Sequence, residues 1–271
     1  MMQEMRLKNY SERSIITYIS LIRQVSKSYN LSPHKLTQQQ IKDYLDKRIV
    51  NDKISVSTIN QTISAFKVLF VYVLKRNWND IEISRPRREF KLPVVLSEKE
   101  ITTLLIKTIN LKHAAIFAIT YSSGLRLSEV CNLKIKDIDS QRMQVKVKNG
   151  KGKKDRYTIL SKKALDILRE YFKKYRPVDY LFYGYDKKLA IRRGTVQRAF
   201  KTNIKKAGII KDAHFHTLRH TFATHLLEQN VNLKVIQKLL GHGSIRTTMT
   251  YTHLVNFNIS TMKSPLDNIN I

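Results

Sequence analysis

The sequence has 271 residues, 42% of them hydrophobic, and its 50 lysines and arginines against 21 acidic residues leave a formal net charge of +29. This length and this apolar fraction favour two domains with their own cores and exclude a disordered polyelectrolyte. The charge calls for a polyanionic partner: DNA, RNA or an acidic membrane surface. With Cys131 as the single cysteine, an intrachain disulfide is excluded and a reducing compartment fits.

The positive charge is spread over the whole chain. Residues 1–90 carry 16 basic and 8 acidic side chains, and residues 91–271 carry 34 and 13. Both halves should therefore contribute to the binding surface, as in a protein that encloses a duplex, although abundant lysine can also reflect a biased genome composition. No signal peptide opens the chain, and the longest mostly apolar run, residues 114–125, is shorter than the ~20 residues of a membrane span. We expect a soluble cytoplasmic protein.

The first third of the chain predicts a small helical bundle. Apolar residues recur at three- and four-residue steps over residues 11–29, which indicates an amphipathic helix. Residues 37–40 form a capping box that starts a second helix, and a third is predicted over residues 58–76. We place this domain at residues 1–83.

A basic segment with two prolines, residues 84–95, is predicted to link two domains, because proline disfavours helix continuation. Its side chains Arg85, Arg87 and Arg88 are candidates for contacts with a phosphate backbone. A merely solvated linker is the alternative, and residue type fits either.

The second domain, residues 96–271, is predicted to combine helices with one β-hairpin, so the fold class is mainly α with a small β-sheet (α+β). Over residues 142–160 the apolar period changes to two, and Asn149-Gly150 is a strong turn signal that puts Lys151 at the hairpin tip. Tyr157 and Ile159 are predicted to lie opposite Val145 and its apolar neighbours, on the other strand of the hairpin. A capping box at residues 97–100 opens a helix through residue 105. Further helices are predicted at 112–121, 162–175, 194–207, 217–229 and 233–240, and a shorter one carries Tyr251.

Six residues form a candidate set for phosphodiester cleavage. Arginines hold phosphate oxygens with forked, permanently charged donors, and lysine or histidine can protonate a departing sugar oxygen. A tyrosine can attack phosphorus, but with an ordinary pKa near 10 it needs a base and a cationic cage. The set consists of Arg126, Lys151, His216, Arg219, His242 and Tyr251.

The strings around these residues are specific in combination. They read Ser-Gly-Leu-Arg at 123–126, Gly-Lys-Gly at 150–152, His-Thr-Leu-Arg-His at 216–220, Leu-Gly-His at 240–242 and Tyr-Thr-His at 251–253. In this order and spacing the chain resembles the tyrosine recombinase (phage integrase) family, and most closely its bacterial Xer-type members. The likeness covers nearly the whole chain and implies a helical core-binding domain followed by a mixed catalytic domain.

The resemblance also implies residue roles. The family counterpart of Arg126 clamps the scissile phosphate and that of Glu129 braces it, although an ordinary salt bridge is the alternative for this pair. His216 and Arg219, three residues apart at a helix start, can contact one phosphate together. The counterpart of His242 donates to the phosphate and helps to position the tyrosine.

In the family, the counterpart of Lys151 protonates the leaving 5′ oxygen. Lys153 and Lys154 are close enough to take that role instead, and we otherwise interpret them as DNA contacts. Tyr251 would attack the phosphodiester, form a 3′-phosphotyrosine link and free a 5′ hydroxyl that attacks the partner duplex. This mechanism implies no ATP, metal or other cofactor.

Histidine pairs offer a competing interpretation, because His216 and His220 lie one helical turn apart. A zinc site would need further ligands, and the sequence has neither a cysteine cluster nor a His-Glu-x-x-His string. We therefore interpret His214, His220 and His225 as structural or DNA-facing.

The tail from about residue 252 carries more apolar surface than so short a segment can bury alone. Family members pass such a tail to a neighbouring protomer, which implies a cyclic tetramer, of one recombinase or of two, on two DNA sites. A tail folded back on its own domain is the alternative.

We therefore expect a nucleoid-associated, site-specific recombinase of double-stranded DNA. Xer-like resolution of chromosome or plasmid dimers is favoured, because no arm-binding domain precedes the bundle and no insertion precedes the His-x-x-Arg string. A compact mobile-element integrase or transposase is the alternative. A type IB topoisomerase-like enzyme and a non-catalytic DNA-binding protein on this fold are disfavoured by the tail and by the intact set of six. The motifs leave open the recognition sequence and the need for an activating partner protein.

Overall fold

The computed structural model describes residues 1–77, 83–87, 92–148 and 155–254. Contacts between residues divide the chain into two compact units, Met1–Phe90 and Lys91–Ile271, each with its own buried apolar core. The division falls within the predicted linker, residues 84–95. Arg88 of that linker lies outside the described residues.

The N-terminal unit is a helical bundle, as predicted. Ser11 caps the long second helix by accepting a hydrogen bond from the backbone N–H of Ser14. The predicted capping box is present: the Gln40 side chain accepts from the Thr37 N–H at 2.9 Å, and the Thr37 hydroxyl accepts from the Gln40 N–H at 3.2 Å. The helices are α1 (Met2–Leu7), α2 (Glu12–Tyr29), α3 (Gln38–Asp52) and α4 (Val56–Lys67), with a 3-10 turn at Pro33–Lys35.

Helix α4 begins two residues earlier than predicted, because Ser55 supplies the cap that accepts from Thr58 N–H. It continues as a π-helix, Val68–Val73. In the described part of the chain, the helical stretch Val56–Val73 alone has the length and apolar character of a membrane span. Half of it is buried inside the domain, which is also typical of the core helix of a soluble protein.

The C-terminal unit is organised around one central helix, α6 (Leu111–Ser123), which is buried on almost every side from Ala114 to Thr120. Its Phe117 packs edge-on against Phe200, with ring centroids 5.4 Å apart. The other helices are α5 (Glu98–Lys107), α7 (Leu127–Cys131), α8 (Lys162–Tyr175), α9 (Arg193–Lys206), α10 (Phe215–Glu228), α11 (Leu233–Leu240) and α12 (Ile245–Met249).

A three-stranded antiparallel sheet contains the predicted hairpin. Its strands are β1 (Ile138–Asp139), β2 (Gln144–Val147) and β3 (Arg156–Ile159), in that order across the sheet. The hairpin turn and Lys151 lie outside the described residues.

The strand partners differ from the prediction. Tyr157 pairs with Lys146 and Ile159 with Gln144, and both apolar side chains are exposed. The residue opposite Val145 is Thr158, which is buried and donates a hydrogen bond to the Ser123 carbonyl at 2.9 Å. The prediction was wrong because it assigned the apolar residues of β3 to the buried face. That face instead carries polar side chains, which are buried with hydrogen-bond partners. The same alternation turns Arg156 inward.

Gly124 ends α6 at a φ of +60°, where a Cβ atom would lie 2.4 Å from Phe222 Cδ1. We expect Gly124→Ala to destabilise the fold by roughly 2–4 kcal/mol, because backbone strain adds to overpacking. Gly208 has a similar φ of +69° but open space around its Cβ position. Gly208→Ala should therefore cost only about 1 kcal/mol of strain. Denaturant unfolding of the two variants measures the difference, and equal losses would contradict the packing account.

Candidate active site

Arg126 lies between the end of α6 and the start of α7, as the loop-into-helix pattern predicts. Glu129 is the third residue of α7, and its carboxylate accepts hydrogen bonds from the Arg126 backbone N–H and from Arg126 Nη1, both at 2.7 Å. The first bond satisfies an N–H that the short helix leaves without an intrahelical acceptor. Together they fix both the backbone and the guanidinium of Arg126.

Glu129 holds more than one arginine. Arg156 Nη1 and Nη2 donate to its two oxygens, each at 2.8 Å, in the bidentate fork that suits a carboxylate. Arg219 Nη1 lies 3.7 Å from the Oε2 atom. The side chains of Glu129 and Arg219 are 5% exposed and that of Arg156 is 8% exposed. One carboxylate therefore lies among three arginines in a nearly dry environment.

The C-terminal end of α11 supplies three further acceptors. The last carbonyls of a helix have no intrahelical partner and carry the negative end of its dipole, so they attract cations. Gly241 ends the helix in the left-handed conformation, at a φ of +63°. Three successive carbonyls each accept from one arginine: Leu239 from Arg156 Nε at 2.7 Å, Leu240 from Arg219 Nη2 at 2.6 Å, and Gly241 from Arg126 Nη2 at 3.1 Å.

Tyr251 is buried, with 3% of its surface exposed. It lies in the turn between α12 and the 3-10 helix Thr252–Leu254. The prediction that a short helix carries it is therefore wrong, because α12 ends at Met249, two residues earlier. Its hydroxyl lies 3.1 Å from His220 Nδ1. The His242 ring lies nearly parallel to the phenol, at 15° and 6.3 Å between centroids. Two histidines thus enclose the candidate nucleophile.

His216 and His242 lie on two sides of this cluster. His216 is at the surface on the first turn of α10, with its ring centroid 6.4 Å from that of His220. His242 follows Gly241, the residue that caps α11, and its Nδ1 is 2.9 Å from the hydroxyl of the buried Thr248. The segment from Gly241 to Tyr251 is therefore held at both ends, at Gly241 by Arg126 and at Tyr251 by His220.

The electrostatics keep the phenol protonated and its histidine neutral. Burial raises the pKa of Tyr251, and the positive charges of Arg219 and Arg126 offset that rise only in part. Burial, then His216 and Arg219, lower the pKa of His220 to about 4. A neutral His220 in the tautomer protonated at Nε2 can accept the phenol proton at Nδ1.

Burial and then the charge of Arg126 also lower the pKa of Arg219, to about 9, so its guanidinium stays protonated at neutral pH. Partial burial of the ring, then Arg219 and Arg126, lower the pKa of His216. The cluster as a whole therefore carries excess positive charge. Such a site suits an anion that brings its own negative charge.

Five of the six candidates come together in this cluster: Arg126, His216, Arg219, His242 and Tyr251. The sixth, Lys151, lies outside the described residues with Lys153 and Lys154. Sequence reasoning did not single out Arg156, because the predicted alternation put Tyr157 and Ile159 on the inward face of the strand and Arg156 on the outward face, the reverse of what the strand pairing shows.

Of the remaining candidates, Arg85 and Arg87 belong to the N-terminal unit, and His225 belongs to α10 of the C-terminal unit. Arg85 donates to the Ser64 hydroxyl at 3.1 Å within the N-terminal unit, and Arg87 is exposed. His225 pairs with the Tyr121 hydroxyl at 2.8 Å, which supports its structural interpretation. Among the residues that the structure describes, no three His, Cys, Asp or Glu side chains form a group that could hold a metal ion.

Comparison with known proteins identifies the family of both units of the chain. The model of the phage integrase family matches residues 95–256, and that of the phage integrase N-terminal SAM-like domain matches residues 1–80. A tyrosine recombinase of Thermosipho africanus is 33% identical over 92% of each chain. The crystal structure of XerA recombinase is 33% identical, with a TM-score of 0.57 over 94% of this chain and 92% of that one.

A further structure shares the fold at low identity. The Tn1549 transposon integrase, in complex with transposon right end DNA, superimposes with a TM-score of 0.76 over 96% of this chain and 94% of that one. Its sequence identity is 17%, so this match supports the architecture alone.

Glu129 should make stability depend on pH in the acid range. Burial by itself would raise the pKa of its carboxyl, but the hydrogen bonds and charges of Arg156 and then Arg126 lower it from 4.5 to about 2. Because the folded-state pKa lies below the unfolded one, the stabilisation is fully present above the unfolded value and is lost as pH falls through the folded one. It amounts to roughly 3 kcal/mol.

We expect Glu129→Gln to be less stable than wild type by several kcal/mol, roughly 3–5, at neutral pH, because buried arginines lose their counterion. The difference in the free energy of unfolding between the variant and wild type should narrow as the pH falls from 4.5 to about 2, because Glu129 of the wild type becomes protonated over that range. Urea unfolding at several pH values in this range measures the difference. The control is Glu170→Gln at an exposed position on α8, whose stability should change with pH as that of wild type does. A difference that stays constant with pH would contradict the assignment.

Proposed function

The chain belongs to the phage integrase family and is a tyrosine-type site-specific recombinase, and from this premise we propose that it cuts and rejoins DNA through a 3′-phosphotyrosine link on Tyr251. The main support is the position of the Tyr251 hydroxyl, 3.1 Å from the neutral His220 and within the field of Arg219 and Arg126. A base beside the hydroxyl and fixed positive charges near it are what a phenol needs to attack phosphorus.

The two arginines act by fixed charge. Arg126 and Arg219 are held by Glu129 and by the end of α11, so they need not reorganise when charge develops on the phosphate oxygens. His216 and His242 lie beside them as further donors. The proposal assigns this group to the scissile phosphate and its pentavalent transition state.

Each proton and bond in the cleavage step has a destination. His220 takes the phenol proton as the Tyr251 oxygen bonds to phosphorus, and the bond from phosphorus to the 5′ oxygen breaks. The 5′ oxygen takes a proton, which the family resemblance assigns to Lys151. In the second step a 5′ hydroxyl of the partner duplex displaces the tyrosine. One phosphodiester replaces another, so the exchange needs no external energy source.

For the biological role we propose Xer-like resolution of chromosome or plasmid dimers by a tetramer on two double-stranded DNA sites, in the cytoplasm. The likeness to XerA recombinase at 33% identity favours this role. Integration of a mobile element is the second candidate, favoured by the 35% identity over 268 residues to a putative integrase/recombinase of Sinorhizobium fredii. Plasmids that carry either a paired dimer-resolution site or the ends of a neighbouring element distinguish the two.

Tyr251→Phe tests the nucleophile. Nicked suicide substrates, drawn from the flanks of the gene and from candidate dimer-resolution sites, should trap wild type as a covalent adduct on a denaturing gel. Tyr251→Phe should bind the same DNA without forming the adduct, because it lacks the attacking oxygen. The matched control is Tyr157→Phe on the exposed face of β3, which should still form it. An adduct from Tyr251→Phe would move the nucleophile elsewhere.

Removal of residues 255–271 tests exchange of the tail between protomers; these residues lie outside the described part of the chain. The cut follows Leu254 because that side chain packs against the cluster containing Tyr251. The truncated protein should still form an adduct on a single site but should lose both the tetramer on paired sites, seen by native electrophoresis, and recombination between them. An unchanged tetramer would refute tail exchange.

A further inference from the structure

We propose that Arg156 is a positioning residue for strand cleavage, which orients Arg126 through Glu129 and fixes the end of α11 beside His242. This inference rests on the proposed function above. It assigns to β3 a part in the chemistry that goes beyond the six candidate residues.

The contacts of Arg156 direct it toward the protein. Two of its nitrogens donate to the two oxygens of Glu129 and the third donates to the Leu239 carbonyl. A planar guanidinium with three such bonds has one orientation, and each partner is fixed in return. Each of its three nitrogens donates to a protein acceptor and its side chain is 8% exposed, which favours a supporting role over a direct clamp on the phosphate.

Glu129 depends on this support because it is a buried carboxylate. Burial disfavours its charged form, and the hydrogen bonds of Arg156 are the largest influence that restores it. If Glu129 were protonated, the Arg126 guanidinium would lose its counterion, and if Glu129 turned away, it would lose its acceptor on that side. The position of Arg126 thus depends on Arg156 through the carboxylate that the two share.

Gly241 provides a second, independent observation. A Cβ atom at this position would lie 2.7 Å from Arg156 Cδ and 3.1 Å from its Nε, so only glycine lets the arginine stem pass. The Gly241 carbonyl accepts from Arg126, and the next residue is His242. The stem of Arg156 therefore packs directly against the backbone at Gly241. This backbone leads into His242, and its carbonyl accepts a hydrogen bond from Arg126.

The experiment measures single-turnover cleavage of a suicide substrate that traps wild type, at saturating protein. Arg156→Gln removes the fork, and Arg156→Lys keeps the charge but cannot bond both carboxylate oxygens in the same plane. Arg142→Gln, exposed at the base of the same hairpin, is the matched control for lost positive charge. Each is also made in a Glu129→Gln background to form a double-mutant cycle.

We expect Arg156→Gln to lower the cleavage rate constant by roughly 100-fold or more, as for loss of a preorganised donor, with the dissociation constant for DNA within about threefold of the control. Arg156→Lys should lie between the two. In the Glu129→Gln background, Arg156→Gln should lower the rate by a clearly smaller factor than in wild type, because the route through Glu129 is gone and only the bond to the Leu239 carbonyl remains to be lost.

Amplitude separates positioning from mere stabilisation. A variant that is only partly folded traps less DNA at the wild-type rate constant, whereas a misplaced Arg126 traps the full amount slowly. Reduced amplitude at an unchanged rate constant, a rate equal to that of Arg142→Gln, or additive effects in the cycle would each overturn the inference. If wild type forms no adduct on any substrate, the proposed function fails first, and that outcome is distinguishable from these.

Discussion

A single buried carboxylate, Glu129, lies among three arginines, and the arrangement of the site depends on it. Three guanidiniums in a nearly dry environment repel one another, and one carboxylate compensates only part of their charge. The end of α11 adds three carbonyl dipoles, which stabilise the excess without neutralising it. A DNA phosphate would supply the missing negative charge, so the cluster is preorganised for an anion before it binds one.

The same interactions connect the fold to the chemistry. Residues of α7, β3 and α10 converge on the end of α11, and Arg219 also donates to the Gly124 carbonyl at the end of the central helix α6 at 2.8 Å. The polar site is thus continuous with the apolar core. Changes in Glu129 or Arg156 should therefore affect both stability and cleavage, which is why cleavage rate constants and amplitudes have to be read separately.

Local signals predicted much of the architecture. Capping boxes and helical periodicity placed α3, α5, α8 and α11 well, since these features depend on residues within one or two turns of each other. Strand partners were wrong at β3, because Thr158 and Arg156 are buried with partners distant in sequence, Ser123 and Glu129. The contact between His220 and Tyr251 was not anticipated either, since neither periodicity nor spacing encodes it.

The sequence by itself determined the two-domain organisation and the mainly helical class, and it proposed the candidate set for cleavage, because motif order and residue chemistry are properties of the chain. Tertiary structure decided which residues support that set. Arg156 becomes part of the site only when β3 is placed beside α7 and α11, and His220 only when the turn after α12 returns to α10. Burial gives both residues their significance, because a buried guanidinium or ring nitrogen that is paired with a specific partner is held in one orientation, whereas an exposed one is not.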